Sequence, residues 1–160
     1  MDVRLARLPV NIRRSASPVV VASEDMQMSD NNIAKLQQMY AAFGRGDVDT
    51  ILANVTEDVD WGTETIVGDV PWYQIRRGVA GVGDFFQTLA TEVDFPRFEP
   101  SIFAATDDHV FVRVDYDYKF KRNGKSASTG AVHQFTLRDG KVSKFRAFED
   151  TAAIRAAWNS

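Results

Sequence analysis

From His109 to Asp150 the chain reads HVFVRVDYDYKFKRNGKSASTGAVHQFTLRDGKVSKFRAFED, three β-patterned runs divided by two turn signals. The first run changes face at every residue. Val110, Val112, Val114, Tyr116 and Tyr118 fall on one side, and Phe111, Arg113, Asp115, Asp117 and Lys119 on the other. Asn123-Gly124 is a strong short hairpin signal, and Arg138-Asp139-Gly140 is a second. Strands joined by short turns form an antiparallel meander. A meander with one apolar face has to bury that face, so the rest of the chain must supply its cover.

The cover lies upstream. Asp30 is placed to cap a helix beginning at Asn31, with Ile33, Leu36, Met39, Tyr40 and Phe43 along one face. Gly46 stops that helix, and Asp47 caps a second with Val48, Ile51, Leu52 and Val55 on its buried side. Val59-Asp60-Trp61 reads as a short strand. Gly62 to Arg77 is irregular and holds Trp72 and Tyr73, which either fold over a cavity or pack on the helices. A third helix begins within Gly78 to Gly83, with a stripe of Val82, Phe85, Phe86, Leu89 and Val93. A strand bent at Pro100 comes next, over Phe98 to Thr106, and Asp150 caps a terminal helix from Thr151 to Trp158. Helices first and a meander later predict an α+β domain with a sheet of four to six strands. Curved around the early helices, such a sheet leaves an open end and therefore a pocket.

Residues 1–28 differ from the rest of the chain. Arginines and acidic residues are mixed there, and Pro9 and Pro18 break any helix. This segment is expected to be a disordered extension, with Met26 or Met28 a natural start for a folded domain over residues 29–160. Its longest apolar run, Pro18 to Ala22, is too short for a secretory signal core. No apolar run approaches the roughly 18 residues of a membrane span. Net charge is −3 with both signs interspersed, which argues against sequence-independent nucleic-acid binding. The absence of cysteine excludes disulfides and thiolate chemistry. The two histidines share no ligand spacing, so no metal site is expected. A cytoplasmic protein is the expectation. Eleven Phe, four Tyr and three Trp mean that aromatic rings dominate the core or line a cavity within it.

Three stretches together resemble the SnoaL-like branch of the nuclear transport factor 2-like, or ketosteroid isomerase-like, superfamily. They are YAAFGRGD at Tyr40 to Asp47 with TEDVDW at Thr56 to Trp61, RGVAGVGDFF at Arg77 to Phe86, and HQFTLRDGKV at His133 to Val142 closing with FRAFEDT at Phe145 to Thr151. The resemblance implies a cone-shaped α+β barrel, a homodimer, and a deep pocket for a small hydrophobic or oxygenated organic ligand. It implies no cofactor.

Three chemistries found among similar proteins place their residues here differently. Ketosteroid isomerase-like chemistry would need groups at Thr63, Met39 and Gly130, and none of these can act as base or oxyanion donor. Limonene-type epoxide hydrolases resemble the chain at Arg113-Val114-Asp115, whose period of two puts both side chains on one face. Their remaining carboxylate falls on Ala147. SnoaL-like cyclases resemble it at His133, and their acid again falls on Ala147, with Glu149 two residues along the same strand face. The expected catalytic set is therefore His133, Arg113 and Asp115. The expected pocket is Tyr40, Trp61, Trp72, Tyr73, Phe86, Phe135, Ala147 and Glu149. Each polar candidate has a plainer reading: His133 as a hydrogen-bonded core residue, and Arg113 with Asp115 as a solvated or interfacial ion pair. Isomerisation, dehydration, cyclisation and hydrolysis stay open. So do ligand binding without turnover and a role as a dimerisation or interaction module.

Overall fold

A computed structural model describes residues 23–63 and 68–160. Helix α1 spans Ser23–Gly44, α2 Val48–Ala53, and strand β1 Val55–Gly62. A 3-10 turn at Pro71–Tyr73 leads to the two-residue strand β2, Arg76–Arg77. Then come α3 (Gly78–Glu92), β3 (Val93–Thr106), β4 (His109–Phe120), β5 (Ser126–Arg138), β6 (Lys141–Phe148) and α4 (Thr151–Trp158). The fold is α+β, with one curved, unclosed six-stranded sheet in the order β2-β1-β6-β5-β4-β3.

Several local expectations are corrected. Helix α1 starts at Ser23, so Asp30 lies inside it rather than capping it. Most of the segment expected to be a disordered extension, 1–22, falls outside the described residues. Val55 opens β1 instead of closing α2, and Val93 opens β3 instead of closing α3. The sheet is not wholly antiparallel, because β1 runs parallel to β6. The chain crosses from β1 to the far edge through α3 and returns through the meander, which brings its first and last long strands side by side. Asn123-Gly124 sits in a five-residue connection between Phe120 and Ser126, not a two-residue turn. Asn123 is used elsewhere: its side-chain amide donates to the carbonyls of Ala157 and Trp158 and holds down α4. Asp139 and Gly140 do form the tight turn, both with positive φ.

The caps at Asp47 and Asp150 are present. Each carboxylate accepts the backbone N–H three residues on, from Thr50 and Ala153 respectively. The register places inner and outer faces without ambiguity. Phe103, Val112, His133 and Ala147 are cross-strand neighbours on the inner face, and Ile102, Arg113, Val132 and Phe148 on the outer. Helices α1 and α3 lie against the concave side, and the core between them mixes aromatic rings with Val, Leu and Ile side chains. Trp72 and Tyr73 are buried, so the loop aromatics belong to the core rather than to an exposed flap. Trp72 meets Trp158 of α4 edge-on at 5.2 Å and Tyr118 face to face at 5.7 Å. Among the described residues no helix is long and apolar enough to cross a membrane.

Candidate functional site

A cavity of about 90 Å³ opens between the concave sheet face, α1 and α3. Trp61, Phe86, Phe135 and Phe145 form much of its apolar wall, with Trp72 at one end. Trp61 stacks on Phe145 at 4.3 Å, and Phe135 meets Phe145 at 5.0 Å, so this wall is continuous. Tyr40, Trp61, Trp72, Phe86, His133, Phe135, Ala147 and Glu149 all line the cavity. Tyr73, expected among them, does not line it. It lies beside Trp72, ring centres 5.8 Å apart, with a buried hydroxyl that makes no hydrogen bond of good geometry.

His133 is buried on β5, directly across from Val112 and Ala147. Its Nδ1 lies 2.9 Å from the Tyr40 hydroxyl. Burial lowers the imidazole pKa from 6.5 to about 3, so the ring is neutral at physiological pH. Burial pushes the Tyr40 phenol well above its ordinary range, so that hydroxyl keeps its proton. Among the described hydrogen bonds its acceptor is Nδ1, and a buried O–H without an acceptor is costly. Tyr40 therefore donates to Nδ1 and the ring proton sits on Nε2, which leaves Nε2–H as the donor of this cavity-lining ring.

Glu149 lies just past the end of β6 and was expected only as a displaced stand-in for the acid missing at Ala147. It is the carboxylate of the cavity. Tyr116 donates to its Oε2 at 2.7 Å, and Tyr118 reaches both oxygens at 3.2 and 3.3 Å. These tyrosines belong to β4, so they reach over β5, where the buried Thr129 and Ala131 are small. Burial raises the Glu149 pKa, and the hydrogen bonds from Tyr116 and Tyr118 act against that shift. Tyr116 and Tyr118 are themselves pushed well up, by burial first and then by charged or phenolic neighbours, Glu149 among them. Nothing in the sequence marked the two tyrosines as more than core. The signal was present in the alternation, since both share the inner face with Val112 and Val114. Their hydroxyls are polar atoms in an otherwise apolar row, and such atoms need partners.

Arg113 and Asp115 are elsewhere. They bind each other at 2.6 Å on the outer face of β4, where about half of the Arg113 side chain and a third of the Asp115 side chain are exposed. The period of two that places them together also puts them on the opposite side of the sheet from His133. They cannot share a cavity with it, and the hydrolase-like Asp-Arg-Asp arrangement is absent. Gly130 also faces outward, for a Cβ there would run into the Arg113 guanidinium. Thr63 and Met39 do line the cavity, without acid–base groups. Among the described residues no three His, Asp or Glu side chains gather at a possible metal site.

The sequence model of the SnoaL-like domain matches residues 36–145, well over half of the chain. The chain belongs to the SnoaL-like domain family. Solved structures agree on the fold. A nuclear transport factor 2-like protein of unknown function from Burkholderia pseudomallei is 24% identical with a TM-score of 0.75, covering 81% of this chain and 98% of its own. A similar protein from Burkholderia xenovorans is 28% identical, TM-score 0.73, over 80% and 95% of the two chains. The protein TerC, co-crystallised with polyporic acid, is 27% identical with a TM-score of 0.72, over 81% and 99%. No curated protein matches the sequence. Within this SnoaL-like domain, His133 and Ala147 occupy paired inner positions, and the carboxylate stands one strand repeat further, at Glu149.

Proposed function

We propose that this SnoaL-like domain is a cofactor-independent acid–base catalyst acting on an apolar, oxygenated small molecule. The observation that carries the reading is one aromatic cavity lined by both an imidazole N–H donor and a tyrosine-held carboxylate. Glu149 would take a proton from carbon α to a ligand carbonyl, and His133 Nε2–H would hold the enolate oxygen that forms. Deprotonation of this kind begins isomerisations, eliminations and ring closures alike, so the geometry supports the step more strongly than any one product. TerC, with polyporic acid in its crystals, gives a 27% identical precedent for an organic ligand on this fold.

The test is solvent deuterium exchange. A panel of aryl ketones and cyclic β-diketones in D2O, followed by NMR, should show enzyme-dependent loss of an α-proton signal for at least one compound. Glu149→Gln should slow that exchange by two orders of magnitude or more, on the order of a lost general base. Removing the enolate's donor with His133→Ala should slow it by about 10²-fold. Tight binding of a panel member with no exchange at any pH would instead support a second reading, a binding protein. That reading is favoured by the Glu149 carboxylate being already engaged by two tyrosines.

We also infer a homodimer formed through the outer sheet face. Ile102, Val132 and Phe148 lie in register across β3, β5 and β6, and Phe111 extends the patch on β4. All four are exposed, and a row of exposed apolar side chains on a sheet face marks an interaction surface. Arg113 and Asp115 sit within that row, which gives the pair an interfacial place in such an assembly.

A further inference from the structure

A second hollow, about 550 Å³, runs along the outside of the molecule between α1 and β3. Tyr40, Phe43, Phe95 and Phe98 line both this groove and the inner cavity, so a single layer of side chains separates the two. The rings of that layer touch one another. Phe43 lies 4.8 Å from Phe98 and 5.8 Å from Phe95, and Phe95 lies 5.6 Å from Phe98. Tyr40 belongs to the same layer while its hydroxyl bonds His133, which joins the partition to the polar end of the inner cavity. The groove's further walls are small or apolar, Ala41 and Gly44 from α1 and Pro100 and Phe103 from β3, with Gln37 the remaining lining residue.

The two volumes differ in what they offer. The inner cavity carries the hydrogen-bonding groups but is far below the roughly 300–1,000 Å³ of pockets that bury drug-sized ligands. The groove has the volume, and apart from Gln37 and the shared Tyr40 its lining side chains carry no polar group. We propose that the two spaces form one extended site for an elongated amphipathic ligand, its oxygenated ring head in the inner cavity and its apolar tail in the α1–β3 groove. The tail crosses the aromatic layer where the ring centres of Tyr40 and Phe98 stand 6.1 Å apart, which requires those two rings to part on binding. This rests on the inner cavity being the ligand site and adds the shape and polarity of the ligand. A compact polar substrate would leave the groove empty, and a ligand with a charged tail would meet no charged partner among the rings, Ala, Gly, Pro and single Gln37 amide there.

The test is a series of 4-alkylphenols from methyl to hexyl, titrated calorimetrically into the full chain. A buried methylene is worth about fourfold in affinity. A groove open on one side should retain about twofold per methylene, so hexyl should bind about 30-fold more tightly than methyl. Ala41→Trp fills the groove from an exposed helix position and leaves the inner cavity intact. It should abolish the chain-length dependence while 4-methylphenol binds within about twofold of wild type. Gln37→Trp, one turn earlier on the same face, should do the same. A flat wild-type series, with methylphenol binding that Glu149→Gln weakens, overturns the extended site and leaves the inner-cavity reading standing. Equal loss for every phenol in Ala41→Trp also overturns it, as does a change in sedimentation with no change in binding. If no phenol binds, the extended site falls, and α-proton exchange with the ketone panel still decides the inner-cavity reading.

Discussion

A neutral histidine buried beside a phenol has a measurable cost. His133 in the folded state takes a proton only near pH 3, while in the unfolded chain it does so near 6.5. Between those values the unfolded state binds the extra proton, so folding stability is lost as pH falls through the window. One proton contributes a slope of up to about 1.4 kcal/mol per pH unit. Chemical denaturation of wild type and His133→Gln between pH 6.5 and 4 should show the smaller slope in the variant, with Gln still able to accept from Tyr40. Equal slopes would mean that His133 is not held neutral. Glu149 works in the opposite sense. Its pKa is raised on folding, so its contribution is full below the ordinary glutamate range and declines as pH rises through the raised value. Tyr116→Phe removes the 2.7 Å donor to the carboxylate and should move the acid limb of any exchange-rate profile to higher pH. An unmoved limb would assign that limb to another group.

Among the elements, the parallel contact of β1 with β6 is what turns a meander into a cup. Arg146 fastens it. This side chain is buried although it starts from the outer face of β6. It donates to the Asp60 carboxylate at 2.8 Å and to the Asp60 and Phe145 carbonyls. Arg146→Ala should lower unfolding free energy by about 3 kcal/mol, because breaking a buried pair leaves its partner uncompensated. A loss below about 1 kcal/mol in denaturant titration would mean that the pair is only a surface contact. The outer pair on β4 behaves differently. Arg113→Ala and Asp115→Ala should leave ligand binding and α-proton exchange unchanged and cost less than about 1 kcal/mol of monomer stability. Activity lost in either variant at unchanged oligomeric state would return the pair to the active site. At Gly62 the backbone itself sets the residue. A Cβ there would sit 2.7 Å from the Gln74 carbonyl oxygen, so the close approach of the β2 loop to the end of β1 requires glycine.

At the scale of the whole molecule, the proposed function and the proposed dimer would use the two faces of one sheet, the concave face for a ligand and the convex face for a second copy. Val132→Asp combined with Phe148→Asp should turn a sedimenting dimer into a monomer, since each carboxylate would be desolvated at the interface. A wild-type monomer at micromolar concentration would refute the dimer. The inner face was readable in advance because the period of two is local: Val110 to Tyr118 sort themselves by parity alone. The helix stripes and the Asp47 and Asp150 caps were readable for the same reason, being set by near neighbours along the chain. Helix α1 shows the limit. Its extra turns from Ser23 carry no apolar stripe to announce them, and the cap-like Asp30 is just as compatible with a helix interior.

What the chain could not announce is what depends on which strands become neighbours. Parity groups Arg113 with Asp115 but does not say which side of a curved sheet holds the cavity. That choice is made by the helices packing on the apolar face, and it removed two of the three expected catalytic residues from the site. Glu149 looked like an offset substitute for an absent acid. It became the carboxylate of the cavity because Tyr116 and Tyr118, more than 30 residues earlier in the chain, reach it across the small side chains of β5. Alternation, caps and turns are written residue by residue. The polar end of the pocket is a contact among three strands and a helix, and such contacts exist only once the sheet has curved around its core.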